Sequence, residues 1–68
     1  MTYPGHYEVR RVRAGGEIRV RGRQLFVSET LARQSLGLEE VDDGLWSVYF
    51  GPLLLGRYDQ RDQTMDLL

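Results

Sequence analysis

The sequence has 68 residues, and its nine basic residues, all arginine, nearly balance ten acidic ones, for a formal net charge of −1. A chain this short forms one small domain at most, and the absence of cysteine excludes a disulfide framework. A single histidine disfavours a structural zinc site, and no apolar run approaches the ~20 residues of a membrane helix. We therefore expect no metal, no cofactor and no membrane segment.

Residues 1–6 include proline and glycine and are expected to be a linker remnant. Residues 7–13 predict a first strand rich in valine and arginine. The glycines at residues 15–16 supply the positive φ angles of a tight hairpin turn to a second strand at residues 17–21, where polar and apolar residues alternate. A third, more apolar strand is predicted at residues 24–27.

Ser28 is a suitable cap for a short helical turn over residues 29–34, which Gly37 would end. A fourth strand is predicted at residues 38–41. The turn sequence Asp-Asp-Gly at residues 42–44 then favours a hairpin to the next strand.

Fifth and sixth strands are predicted at residues 45–50 and 53–58, and the polar tail at residues 60–68 is expected to be poorly ordered. Short strands separated by glycine-rich turns are typical of a small sandwich or barrel, here over residues 7–59. The pattern of apolar residues predicts a core with no room for a small-molecule ligand. Its members are Val12, Ile18, Leu25, Val27, Leu38, Val41, Trp46, Val48, Phe50 and Leu55.

Charge is distributed unevenly along the chain. Residues 10–23 contain six arginines and one glutamate, a balance of +5, whereas residues 24–68 contain three arginines and eight acids, a balance of −5. Arginine grips phosphate through a planar fork, so the six arginines are candidate DNA contacts, through phosphate and not through bases. They are Arg10, Arg11, Arg13, Arg19, Arg21 and Arg23.

Alternatives to these functional interpretations are structural. The arginines would form ordinary surface ion pairs with Glu8, Glu17, Glu39 or Glu40, each contributing under about 1 kcal/mol. The acidic residues at 39–43 favour turn formation over catalysis, since no convergent partners accompany them. Trp46 shares its strand face with Val48 and Phe50, which favours core packing over stacking on a base, and His6 is expected to be solvated.

Five segments in the same order carry a family resemblance: VRRV, GGEIR, FVSETL, GLEEVDDGLWSVYFG and GPLLLGRYD. With their surroundings, residues 7–61, they resemble the C-terminal β-barrel of insertion-sequence transposases with a DDE-type integrase core. The resemblance implies an all-β, SH3-like barrel of five to six short antiparallel strands with one short helical turn. It also implies that the chain is no enzyme by itself, because the sequence contains nothing of the catalytic core.

The function implied by the resemblance is non-specific binding of transposon-end or target DNA through an arginine-rich first hairpin. The alternative is a protein-interaction module that joins transposase subunits or docks on the catalytic core, with little DNA contact. The expected partners are therefore DNA and other transposase domains or subunits. The expected location is the cytoplasm of a prokaryote, with association to the nucleoid when DNA is bound.

Overall fold

The computed structural model describes residues 2–68 and has an all-β fold, as predicted. Seven strands are present in this part of the chain instead of the expected five to six, and a 3-10 turn at Glu29–Leu31 accompanies them. The strands are β1 (Glu8–Arg11), β2 (Glu17–Val20), β3 (Arg23–Phe26), β4 (Ser35–Asp42), β5 (Leu45–Phe50), β6 (Leu53–Asp59) and β7 (Thr64–Leu67).

All strand pairs are antiparallel and belong to two sheets. The larger sheet has the order β1-β4-β5-β6-β7, and the smaller one consists of β2 and β3. Strands β4, β5 and β6 form a meander whose turns contain Gly44 and Gly51, with φ of 77° and 56°. Glycine adopts such angles without steric cost, and the sequence had indicated turns at both places.

The predicted hairpin between the first two strands does not form, because β1 pairs with β4. In the observed register Arg10 lies opposite Leu36 and Arg11 lies opposite Ser35. Pairing β1 with β2 would have set arginine strand against arginine strand, and like charges directly opposite each other are destabilising. The observed register gives these two arginines uncharged neighbours.

A tight turn at residues 13–16 still connects β1 to β2. The Gly16 amide donates to the Arg13 carbonyl at 2.9 Å, and the Arg13 amide donates to the Glu17 carbonyl at 2.8 Å. Gly16 has a φ of 91°, and a Cβ there would lie 2.6 Å from the backbone nitrogen of Glu29. Only glycine fits, since both the dihedral and the space exclude a side chain.

The helical turn is shorter than predicted. Ser28 caps it as expected, because its hydroxyl accepts a hydrogen bond from the Thr30 amide at 3.2 Å. However, Gly37 does not end a helix: it lies within β4, which begins at Ser35. Three helical residues are too few for a stable turn of α-helix, and pairing with β1 and β5 stabilises the extended form instead.

The core lies between the two sheets and largely matches the prediction. Seven predicted members are buried, and Phe50 and Leu55 pack against them half-buried. Three further buried residues were missed: Val20, Leu36 and Tyr58. Val20 and Leu36 extend the alternation of β2 and β4, and Tyr58 does the same for β6 beyond the apolar Leu53–Leu55 segment.

The prediction of a buried Val41 is wrong, since this side chain is 48% exposed. Val41 and Leu38 are three residues apart, so a regular strand places them on opposite faces. Val41 is also the extra residue of a bulge, because Glu40 pairs with Trp46 while Asp42 pairs with Leu45. An unpaired bulge residue at a strand end is free to face solvent.

The tail at residues 60–68 was expected to be poorly ordered, but part of it forms β7. This strand pairs with β6 from Thr64 opposite Asp59 to Leu67 opposite Gly56. Gly56 makes this close pairing possible, because a Cβ there would lie 2.2 Å from the carbonyl oxygen of Asp66. The sheet therefore continues beyond residue 59, the boundary drawn from the sequence.

The N-terminal segment, expected to be a linker remnant, packs on the large sheet. The Tyr3 hydroxyl donates to the Ser35 carbonyl at 2.8 Å and accepts from the Gly51 amide at 2.9 Å. Its ring lies where a Cβ of Gly37 would be, 2.4 Å from the nearest ring carbon. Tyr7 continues the contact, with its ring centroid 5.9 Å from those of Tyr3 and Tyr49.

Candidate nucleic-acid interface

The smaller sheet is a hairpin with a two-residue turn. Arg21 and Gly22 form this turn with φ of 52° and 79°, so both residues are left-handed. Positive φ at both central positions is the geometry of a type I′ turn, whose twist matches that of the flanking strands. Arginine is an uncommon residue at such a position, because the left-handed conformation costs roughly 1–2 kcal/mol for a residue with a Cβ.

The two faces of the hairpin differ sharply. Ile18, Val20 and Leu25 point into the core and are buried. The outward face carries polar and aromatic side chains in two cross-strand pairs. These pairs are Glu17 with Phe26 and Arg19 with Gln24.

Three of the six candidate arginines have side chains without an ion-pair or hydrogen-bond partner among residues 2–68. Arg11, Arg13 and Arg19 are exposed, and no carboxylate between residues 2 and 68 lies within ion-pair distance of them. The alternation of β1 continues past its last residue and explains why Arg11 and Arg13 face outward, since Val12 between them is 1% exposed and points inward. Their guanidinium groups are available to an external anion.

The other three arginines have partners. Arg10 and Arg21 both bind the Glu8 carboxylate, at 2.9 and 2.7 Å. Arg10 also donates from Nε to the Arg19 carbonyl at 3.1 Å, a bond that links β1 to β2 across the gap between the sheets. Arg23 donates to the Gln63 side chain. The ion-pair alternative therefore holds for Arg10 and Arg21, with Glu8 as the acid.

Arg21 also stacks on the tryptophan. Its guanidinium carbon lies 5.3 Å from the centroid of the Trp46 ring, within the range of a cation–π contact. Trp46 is 3% exposed, and its indole nitrogen donates to Gln60 at 3.0 Å. The prediction of a core tryptophan is confirmed, and the ring is closed to a nucleobase.

Sequence reasoning missed two residues on this side of the molecule. The Arg33 amide donates to the Val12 carbonyl at 2.8 Å, which places an exposed seventh arginine beside the end of β1. Phe26 is 58% exposed. Its buried neighbour Leu25 was a sufficient signal, because the next residue along a strand faces the other way.

The acidic residues have structural partners. Glu39 binds His6 at 2.9 Å and accepts from the Tyr7 hydroxyl at 3.3 Å, so His6 is not simply solvated. Partial burial raises the pKa of Tyr7 above its ordinary value, and the Glu39 carboxylate raises it further. In the next turn, Glu40 accepts from the Gly44 amide at 3.0 Å, and Asp42 accepts from the amide of the following residue at 2.8 Å. This arrangement supports the structural interpretation of the acidic run.

A second acidic turn follows β6. Asp59 accepts from Nε and from a terminal nitrogen of Arg61, both at 3.1 Å. These bonds lower the pKa of the Asp59 carboxyl below its ordinary value, with smaller help from the backbone amides of Arg61 and Asp62. The turn packs beside the β4–β5 turn, since the Gln60 amide donates to the Gly44 carbonyl at 2.7 Å.

Other kinds of site have no counterpart in the described chain. Residues 2–68 form no pocket and hold no group of three potential metal ligands. No helix in that range is long and apolar enough to cross a membrane.

Comparison with known proteins gives one match. A family model described as "IS481 family transposase, C-terminal domain" matches residues 7–66, which is most of the chain. No curated protein and no solved structure matches.

Proposed function

Since the chain belongs to the family of IS481 transposase C-terminal domains, we propose that it is a non-catalytic part of a transposase that binds transposon-end or target DNA. The proposed contacts run from arginine guanidinium groups to phosphates and need no particular base sequence. Three exposed arginines without a carboxylate partner among residues 2–68 carry the proposal. They are Arg11, Arg13 and Arg19.

The six candidate arginines contribute unequally in this proposal. The three free ones meet phosphate without breaking an internal contact. Arg10 and Arg21 share one glutamate, so together with Glu8 they add a single positive charge. Surface ion pairs are worth about 0–1 kcal/mol, so these two arginines exchange Glu8 for phosphate at small cost when DNA approaches. Arg23 gives up only a hydrogen bond to the neutral Gln63 side chain. Arg33 extends the same side.

A second candidate function is the joining of transposase subunits, and one observation favours it. Strand β7 is an outer strand of the large sheet, and the nearby Leu53, Leu67 and Leu68 are exposed. An unpaired outer strand with apolar side chains is a template for a strand from another chain. The first experiment must therefore separate DNA binding from self-association.

The first experiment titrates the chain into a fluorescently labelled duplex between about 50 and 200 mM salt. Three phosphate contacts predict a slope of about −2.7 in log K against log salt, a roughly 40-fold loss of affinity over that range. Sedimentation of the chain alone is measured in the same buffers. Absence of binding at the lower salt would reject DNA binding, and a dimer under those conditions would favour subunit joining.

Variants test whether the free arginines make the contacts. We expect R11Q/R19Q to lower the salt slope by about 2, because two counterion-releasing contacts are lost. The control is R57Q, which removes an exposed strand arginine that also has no carboxylate partner between residues 2 and 68. A loss in the control about half as large as in the double variant, which removes twice the charge, would mean that binding follows net charge alone.

A further inference from the structure

We propose that the outward face of the β2–β3 hairpin binds single-stranded DNA by stacking an unpaired base on Phe26, with Arg19 holding the neighbouring phosphate. The inference rests on the proposed DNA-binding function and extends it, because phosphate contacts alone need no aromatic ring and do not distinguish an unpaired strand from a duplex. Nothing in the family description concerns this residue.

Phe26 stands apart from the other aromatic residues. It is the only one of them in residues 2–68 that is exposed, at 58%, while the rest are buried or half-buried. The β2–β3 register fixes its position, since buried Leu25 beside it forces the ring outward. The ring therefore contributes nothing to the core and presents area to solvent.

The groups around Phe26 fit a nucleotide. Phe26 lies opposite Glu17, and Arg19 lies opposite Gln24. Arg19 is therefore the diagonal neighbour of Phe26, with about 7–8 Å between the two Cα atoms. The face thus combines a stacking surface, a free guanidinium and an amide that can donate to and accept from a base edge. Stacking is tolerant of sequence because every base has a π-face.

The acid on this face leaves the ring accessible. The Glu17 carboxylate lies at the preceding turn, where its oxygens come within 2.8 and 3.0 Å of the position that a Cβ of Gly15 would occupy. Arg13 and Arg19, which flank Glu17, have no carboxylate partner in the described chain. These two arginines outnumber the one acid opposite Phe26, which favours a polyanion on this face.

An unpaired strand is favoured over a duplex as the occupant. In a duplex the flat faces of the bases are covered by their neighbours, so a ring on a flat two-stranded surface has nothing to stack on. A two-stranded ribbon such as β2–β3 can enter the major groove, but the base edges there offer Phe26 no flat face to stack on. Aromatic rings that accept splayed bases beside cationic groups are the usual arrangement in single-strand binders.

The test compares a labelled 20-nucleotide single strand with the duplex of the same sequence, using the whole chain. We expect F26A to weaken single-strand binding about tenfold and to change duplex binding by less than twofold. F26W should restore single-strand binding, and its new indole should be quenched when the strand is added. The matched control is V41A, which removes an exposed apolar side chain near the Asp42 end of β4, away from both candidate binding surfaces.

The outcomes separate this inference from the proposed function. If the native chain binds duplex with a steep salt slope but F26A binds the single strand as well as the native chain does, the stacking role is wrong and the function stands. If the native chain binds neither DNA, both fail. If F26A instead abolishes self-association in sedimentation and leaves single-strand binding intact, Phe26 is a protein contact and the inference is overturned.

Discussion

The two ends of strand β4 use charge in different ways. At the Ser35 end, β4 lies beside Arg11, whose guanidinium has no acidic partner in the described chain. At the Asp42 end, carboxylates are engaged in the fold: Glu40 and Asp42 bind turn amides, and Asp59 binds Arg61. At one end of β4 an arginine is therefore free of ion pairs, while at the other end the carboxylates are engaged, although the net charge of the chain is only −1.

The two ends of β4 are far enough apart for their charges to act independently. Seven steps along β4 at about 3.3 Å each separate the two ends by about 23 Å. The Debye length is about 10 Å at 0.1 M salt, so the acidic turns are screened from a phosphate bound at the arginine end. A small domain can therefore present a basic surface without being a basic protein. Net charge is a poor guide to its partners.

The largest effect is expected when the turn at residues 13–16, which connects the arginine-bearing strands β1 and β2, is disrupted. We expect G16A to destabilise the chain by about 2–3 kcal/mol, because a Cβ would meet the backbone at Ser28 and Glu29 and because φ is 91°. That loss lowers the unfolding midpoint by roughly 10–20 °C in a domain of this size, measured by calorimetry or circular dichroism.

The matched control for this variant is G15A. A Cβ at Gly15 meets only the flexible carboxylate of Glu17, at 2.8 Å, and no positive φ is required there. We expect a change within about 0.5 kcal/mol. Equally small effects of G15A and G16A would show that the turn tolerates side chains at both positions.

A smaller effect is expected at the acidic end of β4, where Arg61 binds the Asp59 carboxylate. In R61Q the Asp59 carboxyl loses the hydrogen bonds that lower its pKa, so NMR titration should find that pKa higher than in the native chain. A lowered folded-state pKa stabilises the fold above the ordinary value and ceases to do so as the pH falls through it. The stability difference between the native chain and R61Q should therefore be present at pH 7, begin to fall below about pH 4, and vanish only below the lowered pKa of Asp59.

The same measurement of stability against pH on R19Q provides the contrast. Because Arg19 has no carboxylate partner in the part of the chain described, its removal should leave the pH dependence of the free energy of unfolding unchanged. A changed pH dependence in R19Q would mean that this arginine is paired in solution and is less available to phosphate than the structure indicates.

The smallest expected effect tests the screening argument. Neutralising two exposed acids of the distant turns in D43N/D62N should change duplex affinity by less than twofold at 100 mM salt. At 10 mM salt, where the Debye length is about 30 Å, the same variant should bind more tightly than the native chain. A large gain at 100 mM salt would show that the acidic end does oppose DNA.

Most of the fold could be predicted from local sequence patterns. Alternation identified β2 and β5, and glycine identified the turns around Gly44 and Gly51. The bulge at Val41 was not visible, because nothing in the residue types marks where a register shifts. Nor was β7, whose polar sequence becomes a strand only because β6 offers an edge.

The candidate interface was less predictable, since it depends on pairing between distant segments. The clustered arginines were evident, but β1 joining β4 decided which of them are free and which share Glu8. The outward position of Phe26 followed from the predicted burial of its neighbour Leu25, whereas Arg33 needed the path of the chain after the 3-10 turn. Sequence spacing does not contain that path.

The Tyr3 hydroxyl has a kinetic consequence. It bonds to the Gly51 amide, 48 positions away, and its ring needs the bare backbone of Gly37. This binding site for the Tyr3 side chain exists only once β4, β5 and the turn after β5 are assembled. Closing the long loop between Tyr3 and Gly51 costs entropy and is slow. The N-terminal segment is therefore expected to dock after the rate-limiting step of folding. Its contacts then slow unfolding and leave the folding rate unchanged, so they prolong the lifetime of the folded chain.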